Sequence, residues 1–180
     1  MTTPHYESGT LDNRDQPRSP EWTGERGREP LPLEGYAALL ATYSTGVVGL
    51  FTWAARSGHT LDAISVSDLL ILGVGSQKLA RMISKDRIST VLRQPFTEYD
   101  GTEGALPGEA CESARRDKGS LRHAIGELLC CPYCTTTWAA AGLFGAYLAD
   151  NKLGRTLGAF LSTVSLAEVM QSTYHKVLSD

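Results

Sequence analysis

Residues Tyr36 to Ala55 read YAALLATYSTGVVGLFTWAA, twenty positions without a charged side chain. A helix rising 1.5 Å per residue needs about 20 apolar residues to cross the hydrocarbon core of a bilayer. Tyr36 and Trp53 stand near the two ends, where interfacial aromatics belong. Such a run has two homes: a membrane, or the buried helix of a soluble bundle. Whole-chain composition, 42% hydrophobic and 21% charged, resembles that of a soluble protein. That average misleads, because the polar residues concentrate in Met1–Glu34 and from about Lys85 to Arg122.

Three further apolar runs follow. Leu61 to Leu79 holds VSDLLILGVG, and its helix is expected to continue through KLARMISKD. Lys78, Arg81 and Lys85, three and four apart, share one face there, suited to an inner headgroup layer. Asp68 inside this run is costly in lipid unless it meets a partner or water. The third run, TTTWAAAGLFGAYLA, ends near Ala149, with Gly142 and Gly145 in a small-residue surface suited to close helix packing. After a tight DNKLG turn, the fourth spans about Thr156 to Met170, with Glu168 near its end. Asp68 and Glu168 are candidates for a proton relay between helices. GVGSQK, at 73–78, lacks P-loop spacing and reads as helix packing.

Charge orients these runs. With the N-terminal tail, the long loop and the C-terminus on one side, that side holds all of the 17 Lys and Arg except Arg56, Lys152 and Arg155. The positive-inside rule then places both termini in the cytoplasm. A formal net charge of −3 argues against a nucleic-acid partner, which would need a basic field. Residues 1–34, with almost no aliphatic side chain before Leu31, cannot offset their chain entropy and are expected to be a disordered tail. A flexible cytoplasmic loop is expected at about 97–119, inside a helical membrane domain of residues 35–178.

The chain's four cysteines are Cys111, Cys130, Cys131 and Cys134. Pro132 sets the geometry of the CCPYC run. Proline inside a helix removes a hydrogen bond and clashes with the preceding turn, but at the first helical position it is harmless. The helix of 121–129 should therefore break, and a new one should start at Pro132 with Cys131 as its cap. Free N–H groups and the positive helix end then face Cys131 and Cys134, which lowers thiol pKa values. CPYC is also the glutaredoxin motif, but that fold carries it early, after a strand, and this chain has it late, between helices.

Three readings of the pair stay open. In the first, Cys131 and Cys134 cycle between dithiol and disulfide, with Cys130 or Cys111 resolving; in the second, they bind zinc, with Cys111, His123 or a second subunit completing the ligands; in the third, they simply fill a tight helical corner.

Two blocks carry a family resemblance: KLARMISKDRISTVLRQPFTEY at 78–99, and GELLCCPYCTTTW at 126–138 followed by LGRTLGAFLSTVSLAEVMQSTY. Over roughly residues 60–178 they resemble the DUF1360 family. The resemblance implies a small bacterial integral membrane protein with a CPxC motif, here Cys131 and Cys134, and it supplies no activity.

The expectation is an all-α fold: a small multi-pass, about four-helix antiparallel membrane bundle in the cell membrane. Its partners would be the lipid bilayer and a second copy or another membrane protein. Its role would be that of a scaffold or interaction protein, or alternatively of a membrane-bound thiol redox or metal-thiolate protein. A soluble helical protein is the third alternative.

Overall fold

The computed structural model describes residues 32–58, 64–101, 108–115 and 120–179. The expected tail lies outside these apart from its last three residues. Six α-helices and one two-stranded sheet follow in order: α1 Leu33–Arg56, α2 Val66–Ser84, a 3₁₀ turn Arg87–Ser89 running into α3 Thr90–Arg93, β1 Thr97–Gly101, β2 Cys111–Ala114, α4 Ser120–Cys130, α5 Pro132–Ala149 and α6 Asn151–Ser179. The chain is mostly helical.

Local chemistry explains the helix ends. Ser65 and Asp68 form a capping box at α2: the Asp68 N–H donates to Ser65 Oγ at 3.1 Å, and the Ser65 N–H to Asp68 Oδ2 at 3.4 Å. Between α5 and α6 only Asp150 intervenes. Its backbone N–H closes α5 on the Ala146 carbonyl, and its Oδ1 accepts from Lys152 N–H at 2.8 Å to open α6. The corner is sharper than the expected DNKLG turn because one residue caps both helices.

Contacts fix the helix directions. Asp68 meets Arg155, Gly75 meets Gly158 and Lys78 meets Glu168, so α2 and α6 run in the same sense. Asp68 also meets Tyr147, and Ser84 meets Thr135, so α5 runs against them. Tyr43 lies 5.2 Å from Trp138 and Phe51 6.1 Å from Phe144, ring centre to centre, which sets α1 in the sense of α5. The four long helices therefore alternate up and down. Lys78, Glu168, Cys131 and the start of α1 lie toward one end of the bundle. Asp68, Arg155 and the end of α1 lie toward the other.

The buried core is small: Leu72, Leu143, Tyr147 and Leu161, with Ile64, Leu79, Met82 and Phe144 packed against it. α2 and α6 touch backbone to backbone. A Cβ on Gly75 would come within 3.0 Å of the Gly158 carbonyl oxygen, and Ser162 Oγ donates to the Ile71 carbonyl at 2.9 Å. The expected close-packing glycines are not the ones used: Gly142 has nothing within 4 Å of its Cβ position, and Gly145 meets only Leu50, at 3.4 Å. Helical phase decides this, since Gly142 faces outward. Asp68 and Glu168, considered for a relay, instead each take a basic partner.

The flexible loop expected at about 97–119 is in part a folded hairpin. β1 and β2 pair antiparallel, Thr97 opposite Ala114 and Tyr99 opposite Glu112, with a bulge between Tyr99 and Gly101. A buried ion pair holds it. Arg93 and Glu112 have side chains 1% and 2% exposed. Arg93 Nε and Nη2 donate to the two Glu112 oxygens at 2.9 and 2.6 Å, and Nη1 and Nη2 reach the Ile83 and Asp86 carbonyls. Thr97 and Thr90 hydroxyls complete the carboxylate at 2.6 and 2.7 Å. The LRQPFT block thus contains the latch: Arg93 as the buried cation and Thr97 as a donor to its partner.

Candidate functional site

α4 ends where proline requires it to. The Cys131 N–H still reaches the carbonyls of Glu127 and Leu128, but Cys131 itself turns extended, at φ −100° and ψ 104°, and α5 begins with Pro132 at its first position. Cys131 is the cap, and its Sγ accepts the Cys134 N–H at 3.4 Å. Thr135, one residue on, fastens the corner: its hydroxyl donates to the Leu128 carbonyl at 2.7 Å and receives Ser84 Oγ at 3.0 Å. The two thiols thus sit on a rigid helix start, Cys131 half-buried and Cys134 exposed.

Their environments differ. The Cys134 hydrogen bond, together with the Cys134 and Tyr133 backbone N–H groups and Lys85, outweighs burial and holds the Cys131 thiol below its ordinary value. The Cys134 thiol is pushed up to about 11 by its hydrogen bond to Cys131, then by burial, then by the charges of Cys131 and Glu127. The Cys130 thiol is pushed up to about 11, chiefly by burial. The pair is thus uneven: the Cys131 thiol gives up its proton before the Cys134 thiol does. Cys130, Cys131 and Cys134 are free thiols.

An open groove of about 330 Å³ adjoins Cys131, lined by Ser113, Ala114, His123, Glu127, Cys130 and Cys131. His123 Nε2 lies 3.4 Å from Glu127 Oε1, and its Nδ1 lies 3.1 Å from the Arg115 carbonyl. The Tyr36 hydroxyl donates to Glu127 Oε2, joining α1 to the site.

Of the residues expected to matter, Cys131 accepts the Cys134 N–H and shares the groove with His123. Cys111 lies on β2, where it pairs in register with Gly101 and does not line the groove. Among the described residues no three His, Cys, Asp or Glu side chains are grouped to hold a metal ion, so the set Cys131, Cys134, Cys111 and His123 is not assembled as ligands. Sequence reading missed Glu127 and Tyr36. The spacing of His123, Glu127 and Cys131, each four apart, carries a signal for Glu127. Tyr36 is 91 residues from Glu127, and nothing local announces it.

A family model described as "Protein of unknown function (DUF1360)" matches residues 71–174, from within α2 to within α6. No curated protein and no solved structure matches the chain.

Proposed function

We propose, for a chain that belongs to the DUF1360 family of proteins of unknown function, a multi-pass cell-membrane protein whose cytoplasmic face carries a dithiol that exchanges with disulfides. The observation that carries the thiol part is the cap: Cys131 Sγ at the start of α5, accepting the Cys134 N–H, beside a proton-holding Cys134.

The membrane part is supported by what the helices leave uncovered. α1 is, among the described residues, the one helix long and apolar enough to cross a bilayer by itself. α2 and α6 turn large apolar side chains outward, among them Leu70 at 65% exposure and Phe160 at 64%. Patches of this kind are rare on soluble monomers. With spans in α1, in α2, in α5 after Cys134 and in α6, the end with Cys131 and Lys78 faces the cytoplasm by the positive-inside rule.

In the exchange, Cys131 as thiolate attacks one sulfur of a partner disulfide. A mixed disulfide forms and the partner's other sulfur leaves as thiolate, taking up a proton. Cys134 then gives up its proton and attacks the Cys131 sulfur. The partner's second sulfur leaves as a thiol and Cys131–Cys134 becomes the disulfide. Two electrons pass from the pair to the partner.

Alkylation of detergent-solubilised protein, titrated against pH for wild type and for Cys131→Ser and Cys134→Ser, tests this. Cys131 is expected to react at a pH below that of a free cysteine, whose pKa is about 8.5. Ordinary reactivity at both thiols, with no disulfide formed under mild oxidation, would sink the redox reading. The scaffold reading would then stand, supported by the same exposed apolar faces.

A further inference from the structure

The 3₁₀ turn Arg87–Ser89 and α3 make one short amphipathic helix with two opposite faces. Its inner face is fastened. Arg93 is buried against Glu112 and the Ile83 and Asp86 carbonyls, and the Ser89 hydroxyl donates to the Met82 carbonyl at 2.5 Å. Its outer face carries Ile88, Val91 and Leu92, which are 85%, 76% and 74% exposed. Their spacing of three and four puts them side by side. Three aliphatic side chains are therefore held in the open, and the latch prevents the turn from rolling them inward.

Basic residues precede and follow this stripe along the chain. Arg87 is exposed at its start, Lys85 precedes it, and the Arg122 guanidinium lies 5.8 Å over the Phe96 ring while its Nε donates to the Pro95 carbonyl. The nearest acid in sequence, Asp86, lies 3.8 Å from the buried Lys78 Nζ. Only Lys85 and Asp86 separate the turn from α2, at the bundle end that holds Cys131. An aliphatic stripe that starts beside the exposed Arg87, just beyond a span, fits the boundary of headgroups and acyl chains in an anionic leaflet.

We infer that residues 87–93 are an interfacial anchor, seating Ile88, Val91 and Leu92 in the inner leaflet through negatively charged lipid headgroups. This rests on the membrane part of the proposed function and is independent of the thiols. The anchor would hold the hairpin, and the groove beside Cys131 that the hairpin helps to line, against the bilayer surface.

The test places an environment-sensitive fluorescent amino acid in the full chain, in separate samples at positions 91, 70 and 99, in nanodiscs of phosphatidylcholine and phosphatidylglycerol. Nitroxide-bearing lipids are the quencher. Position 91 is expected to emit to the blue and to be quenched as position 70 is, while position 99 on the hairpin stays water-like. In discs of phosphatidylcholine alone, quenching at 91 should fall at least twofold and that at 70 should not change. Water-like emission at 91 with quenching at 70 overturns the anchor and leaves the membrane reading intact. Water-like emission at both positions overturns both. A blue emission at 91 that lipid nitroxides do not quench means that protein, a second copy included, covers the stripe, and this too overturns the anchor. Equal quenching at 91 in both kinds of disc overturns the requirement for anionic lipid.

Discussion

At Cys131 and Cys134 two identical side chains three residues apart acquire different chemistry from where the helix begins. Because the Cys131 hydrogen bond is the largest cause of the raised Cys134 pKa, Cys131→Ser should bring Cys134 from about 11 back toward the ordinary thiol range, read as a leftward shift of its alkylation-rate profile. An unmoved profile would mean that burial and Glu127 set the value. Glu112 offers a second residue-scale test. Burial alone would raise its carboxyl, but the hydrogen bonds from Arg93, Thr97 and Thr90 outweigh burial and lower it. A folded value below the unfolded one gives stability that is complete above the ordinary carboxylate range and lost as pH falls through the lowered value. The hairpin should therefore resist proteolysis down through the ordinary range near pH 4.5 and loosen only in stronger acid. Glu112→Gln leaves Arg93 buried without its counter-charge and should lower stability by about 3–5 kcal/mol, measured by thermal unfolding. The corner was legible because a proline rule acts locally. The latch was not, because Arg93 and Glu112 are 19 residues apart and only tertiary packing joins them.

At the scale of elements, glycine position separates helix contacts from helix surface. α6 crosses α5 so closely at their shared corner that a Cβ on Gly154 would collide with the Tyr147 backbone, whereas Gly142 on α5 has open space. Gly154→Ala should cost about 1–3 kcal/mol or more through overpacking. Gly142→Ala should be neutral or stabilise by up to about 1 kcal/mol through helix propensity. Thermal unfolding in one detergent compares the two; equal effects would contradict the helix phases described above. Composition showed that small residues crowd α5 but not which of them meet a neighbour. That depends on rotation about the axis, which the weakly patterned α5 sequence leaves unset. The hairpin was missed for a related reason: TEYDG and CESA are short and polar, and they pair because α4 and the Arg93 latch bring them together. Gly126 shows the fit, since a Cβ there would lie 2.5 Å from the Phe96 carbonyl oxygen.

For the whole molecule, the alternating bundle and the distribution of arginine and lysine make a topological prediction. In intact cells, a cysteine in place of Lys152 should react with a membrane-impermeant maleimide, and one in place of Tyr174 only after the membrane is opened. The reverse pattern would invert the orientation, and labelling of both in intact cells would remove the spans. The alternation of four long helices was readable from the apolar runs, although among the described residues only α1 is long and apolar enough to cross a membrane by itself. What joins them was not, since each inter-helix ion pair links a residue of α2 to one far along the chain. Asp68 lies 87 residues before Arg155 and Lys78 lies 90 before Glu168. In the membrane reading this separation governs birth as well as fold. α2 leaves the ribosome with Asp68 and Lys78 still lacking Arg155 and Glu168, so it has no stable place among lipid tails until α6 arrives. α2 and α6 must enter the bilayer as one delayed event, and a chain cut short before α6 should be left stranded at the insertion machinery rather than halfway built.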